Sequence, residues 1–107
     1  MHSKVIKVKL VLDALKKVVD PEIGMNIIDV GLIYGIEIDQ SNSVYIKMTL
    51  TTPGCPLKDY FISEIETVLM DVDFVTDVQV EFVWSPPWDL SMMDEDAKLN
   101  LFQFMRG

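Results

Sequence analysis

The chain contains a single cysteine, Cys55, and a single histidine, His2. One cysteine excludes an intrachain disulfide, and with it the disulfide framework of small secreted domains. It also excludes a Cys-x-x-Cys redox pair. One cysteine and one terminal histidine fall short of the four tetrahedral ligands of a structural zinc. They leave no Cys–His couple within a rigid core for nucleophilic catalysis. No stretch approaches the ~18 apolar residues of a membrane span. Met1-His2-Ser3-Lys4 leads into alternating charge and hydrophobe, without the apolar region of a signal peptide. The expectation is a cytoplasmic protein that does not enter a membrane.

Positive charge is also scarce. Nine basic residues face seventeen acidic ones, for a formal net charge of −8. Phosphate backbones would be repelled, which argues against nucleic acid. Five of the bases, Lys4, Lys7, Lys9, Lys16 and Lys17, come before Asp20, and with Asp13 that segment carries +4 while the remainder carries −12. Such an asymmetry fits either a solvated lysine-rich helix face or an edge that guides a protein partner or a second copy of the chain.

What is present suits one small domain spanning residues 1–107, with half of the residues hydrophobic. Val8, Val11, Leu12, Leu15 and Val19 recur at helical spacing and predict a first helix over about 4–19, ending before Asp20-Pro21. Residues 20–31 read as a long loop. Tyr34, Ile36 and Ile38, then Val44, Ile46, Met48 and Leu50, alternate with polar partners around the turn Gln40-Ser41-Asn42-Ser43, which predicts a hairpin. Thr52-Pro53-Gly54-Cys55-Pro56 breaks the strand, and Pro56 suits the first position of a second helix with Leu57, Phe61, Ile65 and Val68 inward. Val78, Val80 and Phe82 make a third strand. Trp84-Ser85-Pro86-Pro87-Trp88 cannot continue inside a sheet. Ser91 is the expected N-cap of a last helix through Ala97, Leu101 and Phe104. The order is α-β-β-α-β-α: an α/β (α+β) domain with helices packed on a three-stranded sheet and a right-handed β-α-β crossover.

Three constellations could carry chemistry. Cys55 falls at a strand-to-helix turn, where helix-terminal N–H groups favour a thiolate, the form that binds metal. Gly54 leaves it open, and Thr51, Thr52 and Pro53 flank it. The alternative is a buried cysteine acting as a small hydrophobe. Asp20, Glu22, Asn26 and Asp29 place carboxylates and an amide in the long loop, either for a hard cation or a partner's bases, or simply as turn-forming residues. Pro86, Pro87 and Trp88 form either a rigid aromatic cap or a ledge that a partner recognises.

Four stretches occur in order: Asp20-Pro21-Glu22; Asn26 through Tyr34; Thr51 through Leu57; and Trp84 through Trp88. Together they resemble the metal–sulfur cluster assembly domain family. That family includes SufT-like proteins, the domain in front of some Mrp-type P-loop ATPases, and the PaaD proteins. No Gly-x-x-x-x-Gly-Lys-Ser/Thr loop is present, which sets the chain apart from the ATPases. It also lacks the C-terminal cysteine cluster of PaaD-like proteins, so a free-standing SufT-like protein fits best. The resemblance implies an accessory role in iron–sulfur cluster assembly or transfer to apoproteins, with Cys55 as the signature thiol and Asp20 and Glu22 in the opening motif. It implies no permanently bound cofactor, although iron or a cluster could be held transiently through Cys55.

Expected partners are cluster carriers or client apoproteins. One thiolate is too few for an ordinary cluster, so sharing with a second subunit is expected, and a homodimer with it. Two other readings stand beside this one. The first is an interaction module with a structural cysteine. The second is a small cysteine-dependent enzyme, against which the missing histidine counts.

Overall fold

The computed structural model describes residues 3–51 and 56–99. Helix α1 covers Lys4–Leu15, with Ser3 as its N-cap, the side chain accepting from the Ile6 N–H. It stops four residues earlier than its periodicity predicts. The Val18 carbonyl is taken by the Ile27 N–H at 3.0 Å, and Val19 pairs with Asn26, so this backbone is drawn into another ladder. Val11, Ala14, Leu15 and Val18 form the buried stripe, whereas Val19, predicted inward, is 42% exposed.

The predicted loop over 20–31 is instead a miniature structure. Strands β1 (Val19–Asp20) and β2 (Met25–Asn26) pair antiparallel, and helix α2 (Ile27–Val30) follows directly. Asn26 caps α2 by accepting from the N–H groups of Ile28 and Asp29 at 3.0 and 2.9 Å. Gly31 closes it in the left-handed region at φ +87°.

The main sheet contains β3 (Ile33–Ile38), β4 (Ser43–Met48) and β5 (Asp77–Phe82), in the order β3-β4-β5. β3 and β4 form the predicted antiparallel hairpin. β5 pairs with β4 in parallel, from Ser43 opposite Asp77 to Met48 opposite Phe82. An irregularity in the ladder between Ile33 and Gly35 shifts the alternation at the start of β3. Ile33, Ile36 and Ile38 pack on the core, and Tyr34, predicted to join them, is released to the side.

Helix α3 (Lys58–Met70) links β4 to β5 and buries Phe61, Ile65 and Leu69. Its N-cap is Leu57, so Pro56 lies in the turn before the helix, not at its first position. α1 packs against α3 and β3, and α3 against β5, so the two helices form a layer over the core.

Beyond β5 the chain forms a strap. A 3-10 turn at Leu90–Met92 is capped by Asp89, and a last helix, α4, covers 95–99 of the described residues. Ser91 is therefore not the predicted helix cap. It donates its hydroxyl to Asp89, while Asp94 starts α4 by accepting from the Asp96 N–H at 3.1 Å. Leu101 and Phe104 lie outside the described residues, as do Thr52, Pro53, Gly54 and Cys55. Among the described residues no helix is long and apolar enough to cross a membrane.

Candidate functional site

Parallel strands β4 and β5 end on the same edge of the sheet, and β3 begins there. In α/β sheets the crevice beyond the carboxyl ends of parallel strands is the usual place for a ligand. Here β4 delivers the chain to Thr51, half-buried at the last described position before the cysteine-bearing segment, and Pro56-Leu57 resumes it ahead of α3. β5 delivers Val83 and the strap, with the Val83 N–H bound to the Met48 carbonyl at 2.8 Å. The stretches around 26–34 and 84–88 and the described flanks of the third motif, Thr51 and Pro56-Leu57, thus converge on one edge.

Asp20 is 2% exposed, and its Oδ1 accepts from the N–H groups of Glu22 and Ile23 at 2.8 and 3.4 Å. It is the pivot of the β1–β2 turn, which ends at Gly24 with φ +81°. The Tyr60 hydroxyl, in the first turn of α3, donates to the Val19 carbonyl at 3.1 Å and ties this turn to the same edge. Asn26 donates its amide to Asp29 Oδ2 at 2.9 Å, so the cap and the third helical residue hold each other. Asp20, Asn26 and Asp29 are thereby engaged in shaping the backbone, and Glu22 is exposed beside them. Among the described residues, no three His, Cys, Asp or Glu side chains stand close enough to hold a metal ion.

The strap is pinned onto α2 and the start of β3. Trp88 is half-buried against the core and donates its indole N–H to the Val30 carbonyl at 2.8 Å. The Asp94 N–H donates to the Asp29 carbonyl at 2.8 Å. Gly31 runs so close to Met92 that a Cβ there would overlap the Met92 carbonyl. Tyr34 completes the attachment: its hydroxyl donates to the Pro86 carbonyl at 2.8 Å, and Met92 Sδ lies 3.2 Å away. Burial raises the Tyr34 pKa, the Asp89 carboxylate raises it further, and a hydrogen bond with Thr49 opposes them. The Ser91 hydroxyl and backbone N–H hold the Asp89 pKa below the usual carboxylate value.

Of the three ledge residues read from the sequence, Trp88 is turned inward while Pro86 and Pro87 are exposed, following a cis Ser85–Pro86 bond. The exposed aromatic beside them is Trp84, 38% accessible and stacked on Phe82 at 6.5 Å. Lys58 Nζ stands 5.4 Å from the Trp84 ring centroid and 5.5 Å from that of Phe82. Sequence reasoning named Gly31, Tyr34 and Trp84 only as members of the motif stretches, without a role of their own at this edge, and missed Lys58 altogether. Gly31 alone carried a signal, as a glycine directly after a short apolar helical turn.

The chain matches the family described as iron–sulfur cluster assembly protein over residues 9–82, and it belongs to that family. It is 41% identical over 91 residues to the Fe-S protein maturation auxiliary factor YitW of Bacillus subtilis, covering 85% of this chain and 89% of that protein. It is 40% identical over 84 residues to the Fe-S protein maturation auxiliary factor SufT of Staphylococcus aureus, covering 78% and 96%. A crystal structure of the domain named DUF59 from Bacillus anthracis superposes with a TM-score of 0.85 at 36% identity, over 92% of this chain and 93% of that one.

Proposed function

We propose that the protein is an accessory factor in iron–sulfur cluster assembly or transfer to apoproteins, working in the cytoplasm and without catalytic turnover of its own. Family membership supports this reading, together with relatives named as maturation auxiliary factors. What supports a site is that the described flanks of the cysteine-bearing segment, Thr51 and Pro56, lie at the edge where β4 ends, beside the strap that follows β5. Cys55 is the one thiol of the chain. Iron or a cluster, handled as cargo, would take Cys55 as one ligand and draw the others from a second subunit, a small thiol or a client. Sharing of this kind calls for a homodimer or a tight carrier complex. Exposed Trp84, Pro86 and Pro87 offer the client a rigid apolar contact next to that edge.

Anaerobic reconstitution with iron and sulfide tests this reading. The wild type should gain charge-transfer absorption in the visible range, and Cys55→Ser should not. Equal spectra from both would remove Cys55 from the ligand set and leave a module whose work is done by the exposed ledge alone.

A further inference from the structure

Strand β3 is an outer strand of the sheet, and among the described residues no strand pairs with its free side. The Asp39 N–H donates to the Ser43 carbonyl at 3.1 Å, and Glu37 stands opposite Tyr45. Antiparallel strands turn alternate residues toward each other, so Asp39 and Glu37 direct their backbone groups to β4. Ile36 and Ile38 then direct their N–H and C=O groups outward, as a template for a further strand.

Helix α1 runs along this same strand. Lys7, near its start, donates to Asn42 Oδ1 in the hairpin turn at 2.7 Å, and the Val18 carbonyl, just past its end, accepts from Ile27 ahead of β3. Between helix and strand lies an open groove of about 370 Å³, lined by Val8 and Leu12 of α1, Ile28 of α2, and β3 from Ile33 to Ile36. These four aliphatic anchors, Val8, Leu12, Ile28 and Ile36, are all half-buried. A groove between a helix and an unpaired strand suits an extended peptide, whose main chain bonds the strand while alternate side chains enter the groove.

The rim of the groove sets the charge of its occupant. Lys9 and Lys16 stand three residues before Leu12 and four after it, and Lys4 stands four before Val8, so each neighbours a groove residue on the helix surface. All three lysines are exposed, and among the described residues none is in an ion pair. The nearby acids face elsewhere. Asp13 lines the cleft on the opposite flank of α1, with Lys17, Asp71 and Asp73. Glu37 lies on the other face of the sheet, beside Tyr45, Lys47 and Glu81. Side chains two positions apart on a strand share a face at a spacing of about 6.6 Å. An apolar side chain in the groove therefore carries its second neighbours toward Lys4 and Lys9 in one direction and toward Lys16 in the other.

We infer that this groove binds an extended, acidic segment of a partner polypeptide as a fourth strand on β3, with an apolar side chain between Val8, Leu12 and Ile36 and carboxylates two positions to either side. The inference requires neither the cluster role nor a homodimer. It adds a recognition surface separate from Trp84 and Pro86.

Fluorescence anisotropy of the full chain with the labelled, C-terminally amidated peptide Thr-Glu-Thr-Leu-Thr-Glu-Thr tests it. The peptide should bind saturably, and more weakly as salt is raised. Exchanging both of its glutamates for lysine should weaken binding by about tenfold or more, and so should N-methylating its leucine and the threonine on each side. On the protein, Lys9→Glu/Lys16→Glu should weaken binding by about tenfold, and at these exposed sites the fold is kept. Amide exchange at Ile36 and Ile38 should slow when the peptide binds. Binding indifferent to N-methylation or to the lysine reversals, or no binding at millimolar peptide, overturns the inference. Protection of the same two amides in the free protein also overturns it: protection lost on dilution gives the groove to a second copy, and protection independent of concentration gives it to residues 100–107 of the chain itself.

Discussion

The Trp88 indole N–H and the Val30 carbonyl oxygen are 2.8 Å apart and 58 residues apart in the chain. Val30 is fully buried, so its carbonyl has no access to water should the indole withdraw. Trp88→Phe keeps the ring and removes the donor, and should destabilise the fold by about 1–2 kcal/mol. Trp88→Ala adds a cavity and should cost about 3 kcal/mol or more. Urea unfolding of the three proteins checks the order; equal loss from both variants would mean that the bond contributes little.

Gly31 and Gly24 both have positive φ, +87° and +81°, and differ in their surroundings. Nothing lies within 4 Å of a Cβ built on Gly24, whereas one on Gly31 would run into the Met92 backbone. Gly24→Ala should cost about 1 kcal/mol from backbone strain alone. Gly31→Ala should cost roughly 3 kcal/mol or more, because the strap must lift away. Comparable melting temperatures for the two variants would contradict the close approach.

Tyr34 should contribute a stability that depends on alkaline pH. Its folded pKa is raised above the ordinary 10.0 by burial and by the Asp89 carboxylate. A raised pKa means that the protonated form is favoured in the fold. The contribution is therefore complete below the unfolded value and lost as pH climbs through the folded one. Tyr34→Phe should flatten the stability profile in that alkaline window, and Asp89→Asn should lower the Tyr34 ionisation midpoint, read by ultraviolet difference titration.

Asp20→Ala should destabilise by about 2 kcal/mol, since two backbone N–H groups lose a buried acceptor. Asp20→Asn should recover much of that loss, because an amide oxygen can take both bonds. If Asn unfolds as readily as Ala, the carboxylate charge and not the turn is what Asp20 supplies, and a cationic ligand for this loop would then be favoured.

Cys55→Ala should keep the fold, at a cost of about 1 kcal/mol or less. Its place between Gly54 and Pro56 is a turn-forming sequence, where a side chain has few core neighbours to lose. In cells lacking this protein, assayed for a [4Fe–4S] enzyme under high demand for clusters, the variant should fail to rescue activity at wild-type abundance. Full rescue would reject the ligand role.

The regular elements were legible in the sequence where one period ran unopposed. The hairpin alternation of β4, the inward stripe of α3 and the alternation of β5 all stand in the structure as the residues predict. Errors arose where a second set of hydrogen bonds competed. Val19 continued a helical period yet was captured by the Asn26 ladder, and Pro56 looked like a helix start although the helix begins at Lys58. That displacement weakens the helix-terminus argument for a Cys55 thiolate, because the field of a helix end fades within about one turn. Tyr34 left the core stripe because of the ladder irregularity beside it, which no composition signal marks. The strap's attachments were hidden for another reason: Trp88–Val30 and Tyr34–Pro86 join positions that local periodicity never compares.

Those attachments share one entropic cost. Bringing Trp88 to Val30 closes a loop whose length-dependent entropy alone is worth about 3–4 kcal/mol. Once that closure is made, Asp94–Asp29 and Tyr34–Pro86 form with only short further segments to restrain. The strap should therefore open and close as one cooperative unit, and amide protons along 83–97 should exchange with a common opening free energy, below that of β4. Loosening any one anchor releases all of them and uncovers the sheet edge in a single event, so that access to this edge becomes a property of the strap's closure equilibrium.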